Sequence, residues 1–309
     1  MPDTVLVTGG AGFIGRATLA ALAARGQHAV GTYRGDAPPA LDGVRWVKCD
    51  MSDRAAVAAT MAEVKPSHLI ALAWYMGPGN QQAVENFQWI GQSIDMLMDF
   101  AGQGGSRVIF CGSCMEYDWS REVKLSETET PLTPHTEYGA AKAALSQAFG
   151  SLCAKLGLSG AWARPFFLYG PGENPRRLAA DVILSLLDGR EALCTDGTQR
   201  RDFLHVGDVA DAMVTLLDSD VTGPMNVGSG QAVPLKVLIE EIGRQTGRGD
   251  LIRLGAREGR PGDPPLVEAD TAHLSGTLGW TPKFDLSTGI ADTIDWWRRA
   301  RPQMTELTS

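Results

Sequence analysis

A phenol and an ammonium four residues apart, with a hydroxyl upstream, can move a proton to or from a substrate oxygen. The chain has such a set in Tyr138-Gly139-Ala140-Ala141-Lys142, with Ser113 lying 25 residues before the tyrosine. On a helix, that spacing puts the tyrosine and the lysine on one face. The chain also opens with the apolar run Val5-Leu6-Val7-Thr8, then Gly9-Gly10-Ala11-Gly12, then Phe13-Ile14-Gly15. Gly9, Gly12 and Gly15 follow an expected strand and open an expected helix. That arrangement lets a backbone turn approach a pyrophosphate at a helix N-terminus. A free tyrosine ionises at about pH 10; a lysine beside it and an oxidised nicotinamide ring would both favour the phenolate. The expected chemistry is hydride transfer coupled to proton transfer at one oxygen-bearing carbon, with Ser113, Tyr138 and Lys142 as the catalytic residues. Ser113 would hydrogen-bond the carbonyl or alkoxide oxygen, and Lys142 would also hold the nicotinamide ribose.

The end of the second strand bears on which nicotinamide dinucleotide is used. An NAD site wants an acid there to accept from the ribose hydroxyls. The chain has Thr32-Tyr33-Arg34 instead, and a guanidinium can pair with a 2′-phosphate and stack on adenine. Arg16, just past the last glycine, adds a second positive group. NADP(H) is therefore favoured, with NAD(H) the alternative if Asp36 supplies the acid late. Asp50, just past the third strand, is placed to accept from the adenine amino group. Phe13, Ile14, Met51, Leu72, Ala73 and Arg164 complete the expected cofactor contacts, together with Tyr138 and Lys142.

These side chains need a scaffold, and the chain's rhythm supplies one. Apolar strand-like runs at 5–8, 29–33, 44–48, 68–73, 107–111 and 160–164 alternate with helical segments at 16–24, 54–63, 84–100 and 137–155. Six strands in that rhythm predict an α/β fold, a Rossmann-type doubly wound parallel sheet over residues 1–170. After Gly170-Pro171-Gly172 the rhythm breaks into turn-rich stretches and helices at 178–187, 209–217, 235–246 and 289–299. Residues 171–309 are expected to form mainly a smaller, discontinuous substrate-binding lobe. A segment near 201–227 should return to the first domain, with a strand near 203–206 rejoining the main sheet.

Bulk properties narrow the function classes. A length of 309 residues suits one large α/β domain or a large domain with a smaller partner. A net charge of −8 argues against nucleic acid as a partner. An anionic ligand would then have to be held by a few locally placed arginines. Cys49, Cys111, Cys114, Cys153 and Cys194 are odd in number and have no metal-type pairing, so reduced thiols and no metal site are expected. The first strand begins within five residues of Met1, and no apolar run nears the roughly 18 residues that a membrane span needs. The expectation is a cytoplasmic protein with no membrane partner.

The chain resembles the extended short-chain dehydrogenase/reductase family, in its branch of nucleotide-sugar epimerases, dehydratases and reductases. Beyond the glycine turn and the Tyr138–Lys142 motif, the resemblance rests on the runs 164–172 (Arg-Pro-Phe-Phe-Leu-Tyr-Gly-Pro-Gly) and 201–206 (Arg-Asp-Phe-Leu-His-Val). It rests also on Asn226-Val227-Gly228-Ser229-Gly230, Arg260-Pro261-Gly262-Asp263 and Leu278-Gly279-Trp280-Thr281-Pro282. The family implies that Arg201 and Arg260 clamp a substrate diphosphate, with Asp263 near the nucleoside. It also implies a homodimer packing two helices from each subunit, here 84–100 and 137–155.

Departures from the family pattern narrow the reaction. The 4,6-dehydratases carry an Asp-Glu pair in the two positions after the serine or threonine, where this chain has Cys114 and Met115. Decarboxylases put a glutamate, and 3,5-epimerase/reductases a cysteine, where Met115 stands. The family's His-Leu-Ala-Ala after the fourth strand is Ala71-Leu72-Ala73-Trp74, and its usual asparagine in the 164–167 stretch is Phe167. Trp74, Tyr75, Trp119 and Phe167 are expected to make an aromatic sugar pocket beside Ser113, Cys114 and Met115. Such a pocket suits a deoxysugar, because an absent hydroxyl leaves no donor to satisfy. The resemblance then implies a 4-ketoreductase that uses NADPH on a nucleotide-linked 4-keto-6-deoxyhexose. The alternatives are an NAD-dependent nucleotide-sugar 4-epimerase and a non-sugar carbonyl reductase.

Overall fold

Strand β1 (Thr4–Thr8) shows why the central sheet is covered on both faces. Val5 and Val7 enter one apolar core and Leu6 enters another, and all three are buried. A strand buried on both sides reads as a continuous apolar run, as parallel strands do. The computed structural model describes residues 3–77 and 79–306, with side chains as far as Arg301.

From β1 the chain runs through α1 (Phe13–Ala24), β2 (His28–Tyr33), β3 (Val44–Lys48), α2 (Arg54–Val64), β4 (His68–Ala71), α3 (Glu85–Gly102), β5 (Arg107–Cys111) and α4 (Glu137–Leu156). The second half holds β6 (Ser159–Pro165), β7 (Phe167–Tyr169), α5 (Leu178–Leu187), β8 (Ala192–Leu193), β9 (Arg200–His205), α6 (Val206–Leu217) and β10 (Gly223–Val227). It ends with β11 (Ala232–Pro234), α7 (Leu235–Thr246), β12 (Ile252–Arg253), β13 (Leu266–Val267), α8 (Ala272–Leu278) and α9 (Leu286–Glu306). The central sheet has seven parallel strands in the order β3-β2-β1-β4-β5-β6-β10. The order reverses between β1 and β4, and the crevice beyond the carboxyl ends of such strands is where this fold binds ligands. This is the expected doubly wound fold.

The strand that returns to the main sheet is not the one expected. Residues 203–206 fall in β9 and the start of α6, and β9 pairs with β7, β11 and β13 in a smaller sheet. The physical reason lies in Arg201 and Asp202, both buried polar side chains of β9. Asp202 accepts from the backbone N–H of Ser229, Gly230 and Ala269, partners that only the C-terminal segments supply. The chain returns through α6, which packs on α1, and β10, whose Met225 and Val227 extend the first core beside β6. A separate core forms where α5, α7 and α9 meet around Ile183, Ile239, Ile290 and Trp297. Caps account for two boundary differences. His205 Nδ1 accepts from Gly207 N, so α6 starts earlier than the apolar pattern indicates, and Asp285 accepts from Thr288 N at the start of α9.

Candidate active site

The glycine turn between β1 and α1 is held open for a ligand on one side only. Gly9 has φ +67°, and an added Cβ would lie 3.1 Å from the Ala73 backbone, two residues past β4. At Gly15 a Cβ would collide with Gly9 O, so the helix can pack on its own turn only with glycine there. Gly12 differs: its one close neighbour is Gly9 O, which leaves the outward face clear. It is also the N-cap of α1, with no side-chain cap and no acid in the first turn. The free N–H groups of Phe13, Ile14 and Gly15 and the positive helix end are therefore available to an anion. Two threonines fix the turn: Gly9 N donates to Thr32 Oγ1 at 3.0 Å, and Leu72 N and Ala73 N donate to Thr8 Oγ1. The cradle fits a dinucleotide diphosphate.

At the end of β2 the Arg34 side chain is exposed, and so is Arg16 on α1. Asp50 accepts from Ser52 Oγ and Ser52 N, which holds its carboxyl below the ordinary range, with the Arg34 charge acting in the same direction. Met51 and Ala73 line a small recess with Trp89 and Met96.

Ser113 caps a single helical turn, Cys114–Glu116, just past β5. Its Oγ accepts from Met115 N, and its own N–H donates to Glu116 Oε1 at 2.8 Å. Glu116 is fully buried and also accepts from Trp162 Nε1 and from Arg164 Nε at 2.7 Å. Arg164 Nη1 donates to Tyr117 Oη, which donates to Asn226 Oδ1. Arg164 is 3% exposed, and its guanidinium is engaged inside the protein, where it braces the serine turn. Glu116 was missed as a functional residue, although Ser-x-x-Glu is the capping-box pattern.

Helix α4 carries the other two residues. Thr136 caps it by accepting from Gly139 N, and Tyr138 N donates to Gln81 O. A Cβ on Gly139 would collide with Met115 O, so glycine lets the tyrosine's turn press against the serine's turn. Ser113 thereby reaches Tyr138 and partly offsets what burial does to its phenol, which is to raise it well above the ordinary tyrosine value. Lys142 Nζ donates to Cys111 O at 2.6 Å, and the side chain is 1% exposed. Burial lowers its pKa to about 8, while Cys111 and Glu116 act against that change. A neutral phenol and a loosely held lysine proton thus stand side by side, a pair able to deliver a proton to an oxygen.

The aromatic residues divide into two groups. Trp119, Phe167 and Phe203 cluster, with ring centres 6.3 and 6.2 Å apart, and the Arg201 guanidinium lies 5.3 Å above Phe167. Trp119 Nε1 donates to Cys114 O, which ties this group to the serine turn. Phe203 was read only as part of the 201–206 run, not as a pocket residue. Trp74 and Tyr75 do not join this pocket. Trp74 is buried against Lys142, Phe110 and Tyr138 in the core between the sheet and α3–α4, and Tyr75 packs against that same core. Both lie beyond the last residue of β4, Ala71, where strand alternation no longer governs direction, and the Trp74 indole is anchored by Asn86.

Cys114 is buried and its thiol is pushed far up by desolvation, so it is no acid at neutral pH. The Met115 thioether meets Gln81 Nε2 at 3.8 Å. Cys111 lies in the first core and Cys114 in another, and all five cysteines are free and buried. Arg201 is buried; its Nη1 donates to Arg200 O and Pro264 O, and its Nη2 meets Asp263 Oδ1 at 2.8 Å. Arg260, at the other end of the same turn, is exposed. Arg201 of β9 thus meets the turn that carries Arg260 and Asp263.

Comparison with known proteins gives this geometry a context. The model of the NAD dependent epimerase/dehydratase family matches residues 5–228. A dTDP-4-dehydro-6-deoxy-D-allose reductase of Streptomyces bikiniensis is 28% identical over 320 residues, covering 96% of each chain. A UDP-glucose 4-epimerase of Rhizobium leguminosarum bv. trifolii is also 28% identical, over 95% of this chain and 97% of its own. The Thermus thermophilus UDP-glucose 4-epimerase, solved in complex with NAD, superposes with a TM-score of 0.85 at 26% identity, over 96% of this chain and 99% of that one.

Proposed function

The chain belongs to the NAD dependent epimerase/dehydratase family and is an enzyme of the short-chain dehydrogenase/reductase type, and from that premise we propose that it reduces the C4 carbonyl of a nucleotide-diphospho-4-keto-6-deoxyhexose with NADPH. The observation that carries the reading is the end of β2, where an exposed Arg34 stands in place of the acid that an NAD site wants. A guanidinium there recognises the 2′-phosphate that distinguishes NADP from NAD.

Gly9, Gly12 and Gly15 with the N–H groups of α1 hold the diphosphate, Arg34 and Arg16 the 2′-phosphate, and Asp50 the adenine side. Bound there, the dihydronicotinamide would supply a hydride. Tyr138 delivers its proton to the C4 oxygen, Ser113 hydrogen-bonds that oxygen, and Lys142 stabilises the phenolate left behind. Tyr138 suits the reductive direction because burial keeps it protonated until it is used. Arg260 and Arg201 with Asp263 hold the nucleoside diphosphate. Trp119, Phe167 and Phe203 face the sugar, and they offer no partner for a hydroxyl except the donor already bonded to Cys114 O. The absence of a carboxyl at Cys114 and Met115 weighs against dehydration, since neither group protonates a leaving hydroxyl.

A second reading, an NAD-dependent nucleotide-sugar 4-epimerase, draws on relatives of that name at the same identity and on the solved NAD complex. It would use the same three residues. A homodimer on α3 and α4 fits either reading, because α3 exposes Phe87 and Met98 and α4, packed against it, exposes the small Ala144 and Ala148. No helix among the described residues is long and apolar enough to cross a membrane. A cytoplasmic location is part of the proposal and draws on the five free cysteines, which suit a reducing compartment. Separate fluorescence titrations with NADPH and NADH test the proposal. A preference for NADPH of tenfold or more, lost in Arg34→Ala, is expected; retained NAD⁺ with no response to NADPH would move the account to the epimerase.

A further inference from the structure

We propose that Trp74 is a positioning residue for the active-site lysine: its indole face holds the Lys142 ammonium beside Tyr138, and Asn86 fixes the indole. This rests on reading Lys142 as one of the catalytic set, but not on which carbonyl is reduced.

Lys142 Nζ lies 3.7 Å from the centre of the Trp74 ring, against 5.2 Å for Phe110 and 5.9 Å for Tyr138. An ammonium has three donors, and one is bonded to Cys111 O. At 1% exposure bulk water is out of reach. The negative face of an indole is the best aromatic surface for a desolvated cation. The ring is not free to turn. Its Nε1 donates to Asn86 Oδ1 at 2.8 Å, and the fully buried Asn86 donates through Nδ2 to Asn80 O and Ala83 O. The same indole meets the Tyr138 ring edge-on, 6.4 Å between centres, so one side chain locates both the phenol and the ammonium. The family pattern has alanine at this position, which has no ring face to offer the lysine. The titratable groups that face Lys142 are Cys111 at the end of β5, Glu116 in the turn that follows, and Tyr138 on α4 itself. From the segment after β4 it meets the neutral Trp74.

The test uses neither substrate nor dinucleotide, so it stands or falls apart from the ketoreductase reading. Lysine labelled with ¹³C at Cε is followed by NMR against pH, and the Lys142 signal is assigned by its loss in Lys142→Met. The wild-type signal should titrate near 8. In Trp74→Met, which keeps apolar bulk but removes the ring face, it should titrate about one pKa unit lower. Trp74→Phe, which restores a weaker ring face, should recover about half of that drop. An unchanged or raised lysine pKa in Trp74→Met would overturn the proposal, because the indole would then act only by excluding water. If the methionine variant does not fold, the phenylalanine variant decides: a value lowered by about half a unit supports the proposal, and an unchanged value overturns it.

Discussion

Replacing Lys142 with methionine should make the dinucleotide-free protein more stable while removing its chemistry. Burial takes the lysine from an ordinary value of 10.5 to about 8. At about 1.4 kcal/mol per pKa unit, holding its charge inside the fold at pH 7 costs about 3 kcal/mol. Methionine removes that cost but leaves Cys111 O without the donor it has now, a loss of about 1 kcal/mol. The net expectation is a gain of roughly 2 kcal/mol, or a melting temperature higher by roughly 3 °C. The pH dependence carries a sign of its own. Between about 8 and 10.5 the folded wild type has lost this proton and the unfolded chain has not. Wild-type stability therefore rises with pH across that window, and the advantage of the variant shrinks. Urea unfolding of protein stripped of dinucleotide, at pH 7 and at pH 10, measures both effects. A variant less stable than the wild type at pH 7, or an advantage that does not narrow by pH 10, would refute the reasoning.

Three further outcomes follow from the same geometry. Tyr138→Phe should lower kcat by at least about 100-fold while dinucleotide affinity changes little; retained turnover would give the proton to another group. Glu116→Ala should destabilise the fold by about 3–5 kcal/mol, because it strands the buried Arg164 guanidinium, and urea unfolding of the variant would show a loss well below that if the pair were marginal. Gly15→Ala should weaken dinucleotide binding at least tenfold, since its Cβ would collide with Gly9 O and displace the turn; unchanged affinity in a titration would mean that the turn is not the diphosphate site.

The rhythm of strands and helices was legible because β1, β4 and β5 of the central sheet are short, buried apolar runs, whereas β10 (Gly-Pro-Met-Asn-Val) gave no such signal. Strand β3 and strand β5 lie where their apolar runs place them. What the sequence concealed was the pairing of buried polar groups. Arg164 looks like a free cation until Glu116, 48 residues away, is seen to meet it. Arg201-Asp202 in β9 gave no sign that their partners sit near 229 and 263. Trp74 reads as part of a sugar pocket when only its aromatic character is known. It lies past the end of β4, and its direction is set by its bond to Asn86, which only the folded chain displays. The Ser113–Glu116 cap was readable, and following it would have located the brace beneath the active site.

The most direct measurement of the central claim is anaerobic incubation of the purified enzyme with NADPH and a dTDP-linked 4-keto-6-deoxyhexose, scored by nicotinamide absorbance and product mass. Stoichiometric NADPH oxidation with a product two mass units heavier than the ketosugar is predicted, and the same protein should leave UDP-glucose unchanged. Interconversion of UDP-glucose and UDP-galactose without consumption of NADPH would contradict the account.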